Sequence, residues 1–139
     1  MTKSILQSRK AAIFGGSGFV GRCLVNRLIS EGYVVSIITR KNVIDRKHKA
    51  DGASYIQYCI NDNIKIDEII RGHDVVINLV GILHETNSNT FKSIHIDFPV
   101  ALVRACETAG VENFLHISAL NADMRNLPSK YLRSKSEGE

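Results

Sequence analysis

The sequence predicts an α/β domain built on a doubly wound parallel sheet. Three observations carry that expectation: short apolar runs recur along the chain, segments of helical apolar spacing separate them, and glycines mark the changeovers. The 139 residues, 44% hydrophobic and 23% charged with mean hydropathy −0.04, suit one globular domain over 1–139. No apolar run approaches the roughly 18 residues of a membrane span. Residues Met1 to Lys10 hold one apolar pair, unlike a secretory signal, so a cytoplasmic location is expected.

Lys10 to Phe14 reads as the first strand, closed by Gly15-Gly16-Ser17-Gly18. From Phe19 the spacing turns helical, with Val20, Leu24 and Leu28 on one face and Gly32 as the stop. Tyr33 to Ile38, rich in β-branched residues, completes a βαβ unit. Ser54 to Tyr58 is the third strand, Ile64 to Arg71 a short helix, and Val75 to Val80 an almost purely apolar fourth strand ending at Gly81. A helix is expected from about Thr90 to Ala109, stopped by Gly110, with Pro99 predicting a kink or a late start. Phe114 to Ser118 is the fifth strand, and a last helix begins at Ser129. Strands apolar on both faces belong to parallel sheets covered by helices on each side. The last helix stops without a completed apolar stripe, which reads as the N-terminal part of a longer protein.

The three cysteines, Cys23, Cys59 and Cys106, are odd in number and widely spaced, and are expected as reduced thiols, two of them buried. The five histidines do not fall at metal-ligand spacings, so no metal is expected. Net charge is +4, and five of the 18 basic residues lie between Arg40 and Lys49. The excess is local, which argues against a general nucleic-acid surface.

Gly15-Gly16-Ser17-Gly18-Phe19-Val20-Gly21, set between a strand and a helix, is the pattern of a Rossmann-type dinucleotide loop. Glycine there permits a tight turn, close approach of a pyrophosphate, and close packing of helix on strand. The bare N–H groups at the helix start then hold the phosphates. Two registers fit, Gly16-x-Gly18-x-x-Gly21 and Gly15-x-x-Gly18-x-x-Gly21. An acidic side chain at the end of the second strand would select the ribose 2′-hydroxyl of NAD(H), but Gly32 to Ile44 contains none. Thr39, Arg40 and Lys41 stand there instead, and an arginine can clamp a 2′-phosphate. NADP(H) is therefore the expected cofactor, with NAD(H) as the alternative; Arg46, Lys47 and Lys49 read as a solvated loop.

The loop Gly15-x-x-Gly18-x-x-Gly21, the turn Asn78-Leu79-Val80-Gly81 and the pair Tyr131-x-x-x-Lys135 together resemble the extended and atypical short-chain dehydrogenase/reductase superfamily. Within it, the strings Ile77 to Leu83, His116 to Ala122 and Tyr131 to Glu139 look like the branch containing the NAD(P)H-binding accessory subunit of respiratory complex I. The resemblance implies Tyr131 as general acid/base, with the Lys135 ammonium one helical turn away favouring the phenolate. It implies cofactor contacts from the glycine loop and from Asn78, Leu79, Val80, Gly81 and Ile117. Cys59 stands where the family has an aspartate contacting adenine, leaving that task to the Ile60 backbone. His95 stands where an asparagine holds a relay water or positions the lysine.

The family's carbonyl-polarising hydroxyl falls on Ala119, which cannot donate a hydrogen bond. Ser118, one position earlier, should point away by strand alternation unless the strand twists or bulges. The resemblance thus implies an accessory or assembly protein that holds NADP(H) with weak or no catalysis, peripheral to the inner membrane through complex I or another membrane-associated partner. An active oxidoreductase or epimerase on a nucleotide sugar or another carbonyl compound is the alternative, and a sensor of the dinucleotide redox ratio a third. The family's substrate-specificity region would lie beyond this chain.

Overall fold

The computed structural model describes residues 8–40, 50–58, 63–123 and 125–139, and only the backbone of residues 63–65. Five strands, β1 (Lys10–Phe14), β2 (Val34–Thr39), β3 (Ala53–Gln57), β4 (Val75–Asn78) and β5 (Asn113–His116), form one parallel sheet in the order β3-β2-β1-β4-β5. Among the described residues four α-helices accompany them: α1 (Phe19–Ser30), α2 (Asn63–Ile70), α3 (Phe98–Ala109) and α4 (Lys130–Glu137). The chain starts at the centre of the sheet, moves outward through β2 and β3, then crosses to β4 and β5. The reversal between β1 and β4 is the switch point at which doubly wound sheets open a crevice, and the glycine loop leaves β1 there.

Strand alternation sorts the core into two layers. Ala12, Phe14, Ile38 and Val76 pack with Tyr58, Ile66, Ile70, Phe98, Leu102 and Cys106 on the α2/α3 side. Ile13, Val35, Ile37 and Ile77 pack with Val25, Leu24 and Leu28 of α1 on the other. Burial on both faces is why these strands are nearly continuous apolar runs. Phe14, Tyr58 and Phe98 form an aromatic knot, with Tyr58 and Phe98 stacked at 5.8 Å and Phe14 meeting Tyr58 edge-on at 5.3 Å. A part-buried polar link ties β2 to the turn before β4: His73 Nδ1 donates to the Ile70 carbonyl at 3.1 Å, which leaves Nε2 to accept from Ser36 Oγ at 2.9 Å. Of the two described thiols, Cys106 is buried and pushed up to about 11, whereas Cys23 is exposed on α1; Cys59 lies outside the described residues.

The fourth and fifth strands are shorter than their apolar runs predict. β4 stops at Asn78 because the Asn78 side chain turns back, its Oδ1 accepting the Val80 N–H at 3.1 Å in place of a ladder partner. β5 stops at His116, so Ser118 lies beyond the regular strand.

The helix expected from Thr90 is two pieces, a π-helical segment (Lys92–Asp97) running into α3, with Pro99 in the first turn of α3. Proline has no N–H to offer the carbonyl of His95, four residues earlier. That carbonyl is where the end of α4 approaches: a Cβ on Gly138 would overlap the His95 carbonyl oxygen. Gly138→Ala is therefore expected to lift α4 from the π segment and to destabilise the protein by roughly 1–3 kcal/mol, as forced overpacking does. Thermal denaturation of the variant checks this, and an unchanged midpoint would contradict the close approach.

Candidate functional site

The C-terminal ends of β1, β2 and β4 open onto a cleft of about 620 Å³ lined by Gly15, Ser17, Gly18, Ile38, Thr39, Arg40, Tyr58, Leu79, Val80, Gly81 and Asn89. Gly15 has φ +80°, a conformation that side chains rarely adopt, and a Cβ there would lie 3.1 Å from the Leu79 carbonyl carbon. Gly21 faces the inside of the turn: its Cβ would sit 2.5 Å from the Gly15 carbonyl oxygen and 2.6 Å from the Gly16 Cα. Gly16 is buried against Ile13 and Ile37, and Gly18 closes the turn by donating its N–H to the Gly15 carbonyl at 3.1 Å. The chain doubles back on itself here with no room for side chains at Gly15, Gly16 and Gly21.

Gly18 is also the N-cap of α1, with no side-chain cap and no acidic residue in the first turn. The positive end of the helix is left for an external anion. Phe19 (82% exposed) and Val20 (61%) turn their side chains to solvent, so any phosphate contact they make runs through their backbone. The uncapped helix start and the glycine turn, whose one side chain is the small Ser17, fit a dinucleotide pyrophosphate.

On the cleft's outer rim, Thr39 ends β2 nearly buried and Arg40 follows it, exposed, its Nη1 donating to Asn89 Oδ1 at 2.9 Å. Lys41, Cys59 and Ile60 lie outside the described residues. Leu79 and Val80 form the opposite wall, where their backbone abuts Gly15. Asn78 is 0% exposed and supports that wall from behind: besides holding Val80, its Nδ2 donates to His116 Nδ1 at 3.0 Å.

Tyr131 and Lys135, the pair singled out in the sequence, lie on α4. Ser129 caps the helix by accepting the Leu132 N–H at 3.1 Å, and Tyr131 and Lys135 share one face. Tyr131 packs edge-on against His95 (5.5 Å) and Phe91 (6.2 Å). Lys135 is 3% exposed, and its Nζ donates to the Ile117 carbonyl at 2.7 Å, tying α4 to the segment after β5. Burial pulls the Lys135 ammonium below its ordinary range, with Glu139 opposing. Ile117 thus enters as the acceptor that fixes Lys135, with its own side chain half in solvent.

His95 is not a wall of the cleft. It is 0% exposed with both ring nitrogens engaged: Nε2 accepts the Ile82 N–H at 3.0 Å and Nδ1 lies 2.8 Å from Ser134 Oγ. Ser134 donates its own proton to the Tyr131 carbonyl at 2.8 Å, so His95 must carry its proton on Nδ1 and be neutral. Burial, with Lys135 and His116 adding repulsion, lowers His95 to about 4. The side chain therefore joins the turn after β4 to α4 as a support.

Ser118 is freed from strand alternation because β5 ends two residues before it; its Oγ is buried with no hydrogen-bond partner among the described residues. His116 Nε2 is in the same position. Since Asn78 donates to His116 Nδ1, that orphaned Nε2 carries the proton. Buried polar atoms without partners are uncommon and mark places where a bound group or water completes the bonding. Sequence reasoning does not single out Asn89, Ile82, His116 or Ser134. Ser134 alone has a signal, since it stands three residues after Tyr131 on the same helical face.

Residues 11–124 match the NAD dependent epimerase/dehydratase family. The chain is 37% identical over 134 residues to the mitochondrial NADH dehydrogenase [ubiquinone] 1 alpha subcomplex subunit 9 of Mus musculus, covering 93% of this chain and 35% of that protein. It is 32% identical over 141 residues to the mitochondrial NADH-ubiquinone oxidoreductase 40 kDa subunit of Neurospora crassa, covering 99% and 37%. The chain thus spans about a third of the length of these relatives. Among solved structures, UDP-glucose 4-epimerase of Thermotoga maritima superposes with TM-score 0.75 at 19% identity over 93% of this chain and 48% of that one. The Bordetella bronchiseptica enzyme WbmH in complex with NAD+ gives 0.73 at 16% identity over 95% and 51%. With its five-stranded parallel sheet, its glycine turn at the switch point and this match over most of its length, the chain belongs to the NAD dependent epimerase/dehydratase family.

Proposed function

We propose that this chain is the NADP(H)-holding part of an accessory or assembly subunit associated with respiratory complex I, peripheral to the membrane, in which dinucleotide binding matters more than turnover. The observation that carries the cofactor choice is Arg40 on the cleft rim directly after β2, with no carboxylate between Gly32 and Ile44. The partner assignment is supported by relatives that are themselves named as subunits of NADH-ubiquinone oxidoreductase. Among the described residues no helix is long and apolar enough to cross a membrane. A ligand that binds only the folded chain stabilises it by mass action, and such a role needs no chemistry. Ala119, which cannot polarise a carbonyl, favours this reading.

A second reading, an active oxidoreductase or epimerase, is favoured by the Tyr131 and Lys135 pair on one face of α4. The chemistry that a nicotinamide dinucleotide supplies when bound is hydride transfer at C4. In that reading the Tyr131 hydroxyl delivers or accepts the proton, and Lys135, fixed by the Ile117 carbonyl, lowers the cost of the phenolate. Ser118 Oγ is the hydroxyl left to orient a carbonyl oxygen.

Denaturing the purified full-length protein and identifying the released dinucleotide, then assaying hydride exchange with a panel of carbonyl compounds and nucleotide sugars, separates the two. NADP(H) without turnover, unchanged by Tyr131→Phe, is the expected result. Turnover that Tyr131→Phe reduces by about 10²–10⁴ fold, the usual share of general acid–base catalysis, would establish the enzyme instead. Purification free of nucleotide, with none bound on titration, would overturn both.

A further inference from the structure

Arg40 and Asn89, 49 positions apart in sequence, meet at the cleft they both line, Nη1 donating to Oδ1 at 2.9 Å. Asn89 is built into its own loop. Its N–H donates to Thr86 Oγ1 at 3.1 Å and its carbonyl accepts the Thr86 N–H at 2.9 Å. Its side-chain Nδ2 faces Thr86 Oγ1 at 3.5 Å and Ser88 Oγ at 3.3 Å. With the NH₂ group turned to those hydroxyls, the amide oxygen is the atom presented to Arg40, and it is the only one of the two that can accept from a guanidinium. The loop is anchored in turn by the Phe91 N–H on Glu85 Oε1 at 2.8 Å.

A guanidinium carries five N–H donors in one rigid plane, so a single bond to Asn89 fixes the plane without exhausting the donors. We infer that Asn89 is a specificity-determining residue, holding Arg40 over the cleft rim so that its other donors meet the ribose 2′-phosphate of a bound dinucleotide. This rests on the NADP(H) preference proposed above. Ordering a free arginine side chain on binding opposes association through lost rotamer freedom. Asn89 does that ordering beforehand, and only a ligand that uses Arg40 benefits. A dinucleotide lacking the 2′-phosphate gains nothing from the bond, so Asn89 acts on the choice between the two cofactors rather than on binding in general.

The test is titration of NADPH and NADH into the full-length protein, by calorimetry, for the parent, Asn89→Ala, Arg40→Ala and the double variant. Asn89→Ala is expected to weaken NADPH by about threefold to tenfold, the cost of ordering one free, rotamer-rich side chain on binding. NADH binding should stay unchanged, and Asn89→Ala should add nothing once Arg40 is already alanine. Equal weakening of both nucleotides, no weakening of either, or a full additional effect in the Arg40→Ala background would overturn the role of Asn89 while a discriminating parent leaves the NADP(H) reading standing. A parent that binds NADH as tightly as NADPH, insensitive to Arg40→Ala, would overturn both.

Discussion

Gly21→Ala is expected to abolish dinucleotide binding and to cost the fold roughly 2–4 kcal/mol, at the upper end of overpacking effects, because the added atom meets backbone on three sides. The Cβ would lie 2.5 Å from the Gly15 carbonyl oxygen and 2.7 Å from the Gly16 carbonyl carbon. None of these atoms is the movable tip of a side chain. Relief requires either α1 to back away from β1, opening the contacts of Val25 with the sheet, or the turn to unwind, scattering the N–H groups at the start of α1. The same substitution at Gly32, where nothing lies within 4 Å, would show strain from its φ of +84° but no such collision. Calorimetric titration with NADPH and a denaturant midpoint for each variant check the pair. Retained nucleotide affinity in Gly21→Ala would show that the turn tolerates what its geometry forbids.

His95→Ala is expected to have the largest effect on stability, about 3–5 kcal/mol, by opening a cavity where a fully buried ring stood and stranding the part-buried Ile82 N–H. The Ile82 N–H loses its acceptor and the Ser134 hydroxyl its donor, so the turn after β4 and the helix bearing Tyr131 and Lys135 come apart together. The pH dependence has a defined sign. His95 is lowered to about 4 by burial, then Lys135 and His116, against about 6.5 in an unfolded chain. The unfolded chain therefore takes up more protons on acidification, and stability rises with pH through that interval. The contribution is fully present above about pH 6.5 and is lost as pH falls toward 4. His73 and His116, both lowered by burial, act in the same direction. Denaturant midpoints from pH 7 to pH 4 should fall steeply in the parent and less steeply in His95→Ala; equal slopes would remove His95 from this account.

Most of the architecture is legible in the sequence because its signals are local. The apolar run of β1 with Gly15 after it, and the helical spacing of α1 with Gly32 as its stop, identify a strand, a turn and a helix without reference to anything distant. The strand ends are not legible, because apolar character does not distinguish a paired residue from an unpaired one. Leu79 and Val80 continue the apolar run of β4 while Asn78 ends its ladder with a side-chain bond. Strand alternation does not decide the orientation of Ser118 for the same reason, since the regular strand ends at His116. The π segment has the composition of an ordinary helix, and nothing in its spacing separates it from α3; its wider turn is a property of the backbone over Lys92–Asp97. Arg40 is read from its place after the second strand, whereas Asn89 depends on a loop fold that no spacing encodes.

The central place of β1 also fixes an order of assembly. Its partners along the chain are β2, beginning at Val34, and β4, beginning at Val75. During synthesis the turn from Gly15 to Gly21 is thus flanked on one side early, by a connection through α1, while its other wall at Leu79 and Val80 emerges about 60 residues later. Until then the edge of β1 destined for β4 carries unpaired N–H and C=O groups that another strand could capture. Long-range parallel pairing of this kind is slow. The last event at the switch point is therefore the closing of the nucleotide cradle itself, and a dinucleotide present at that moment meets a half-built site waiting for its second wall.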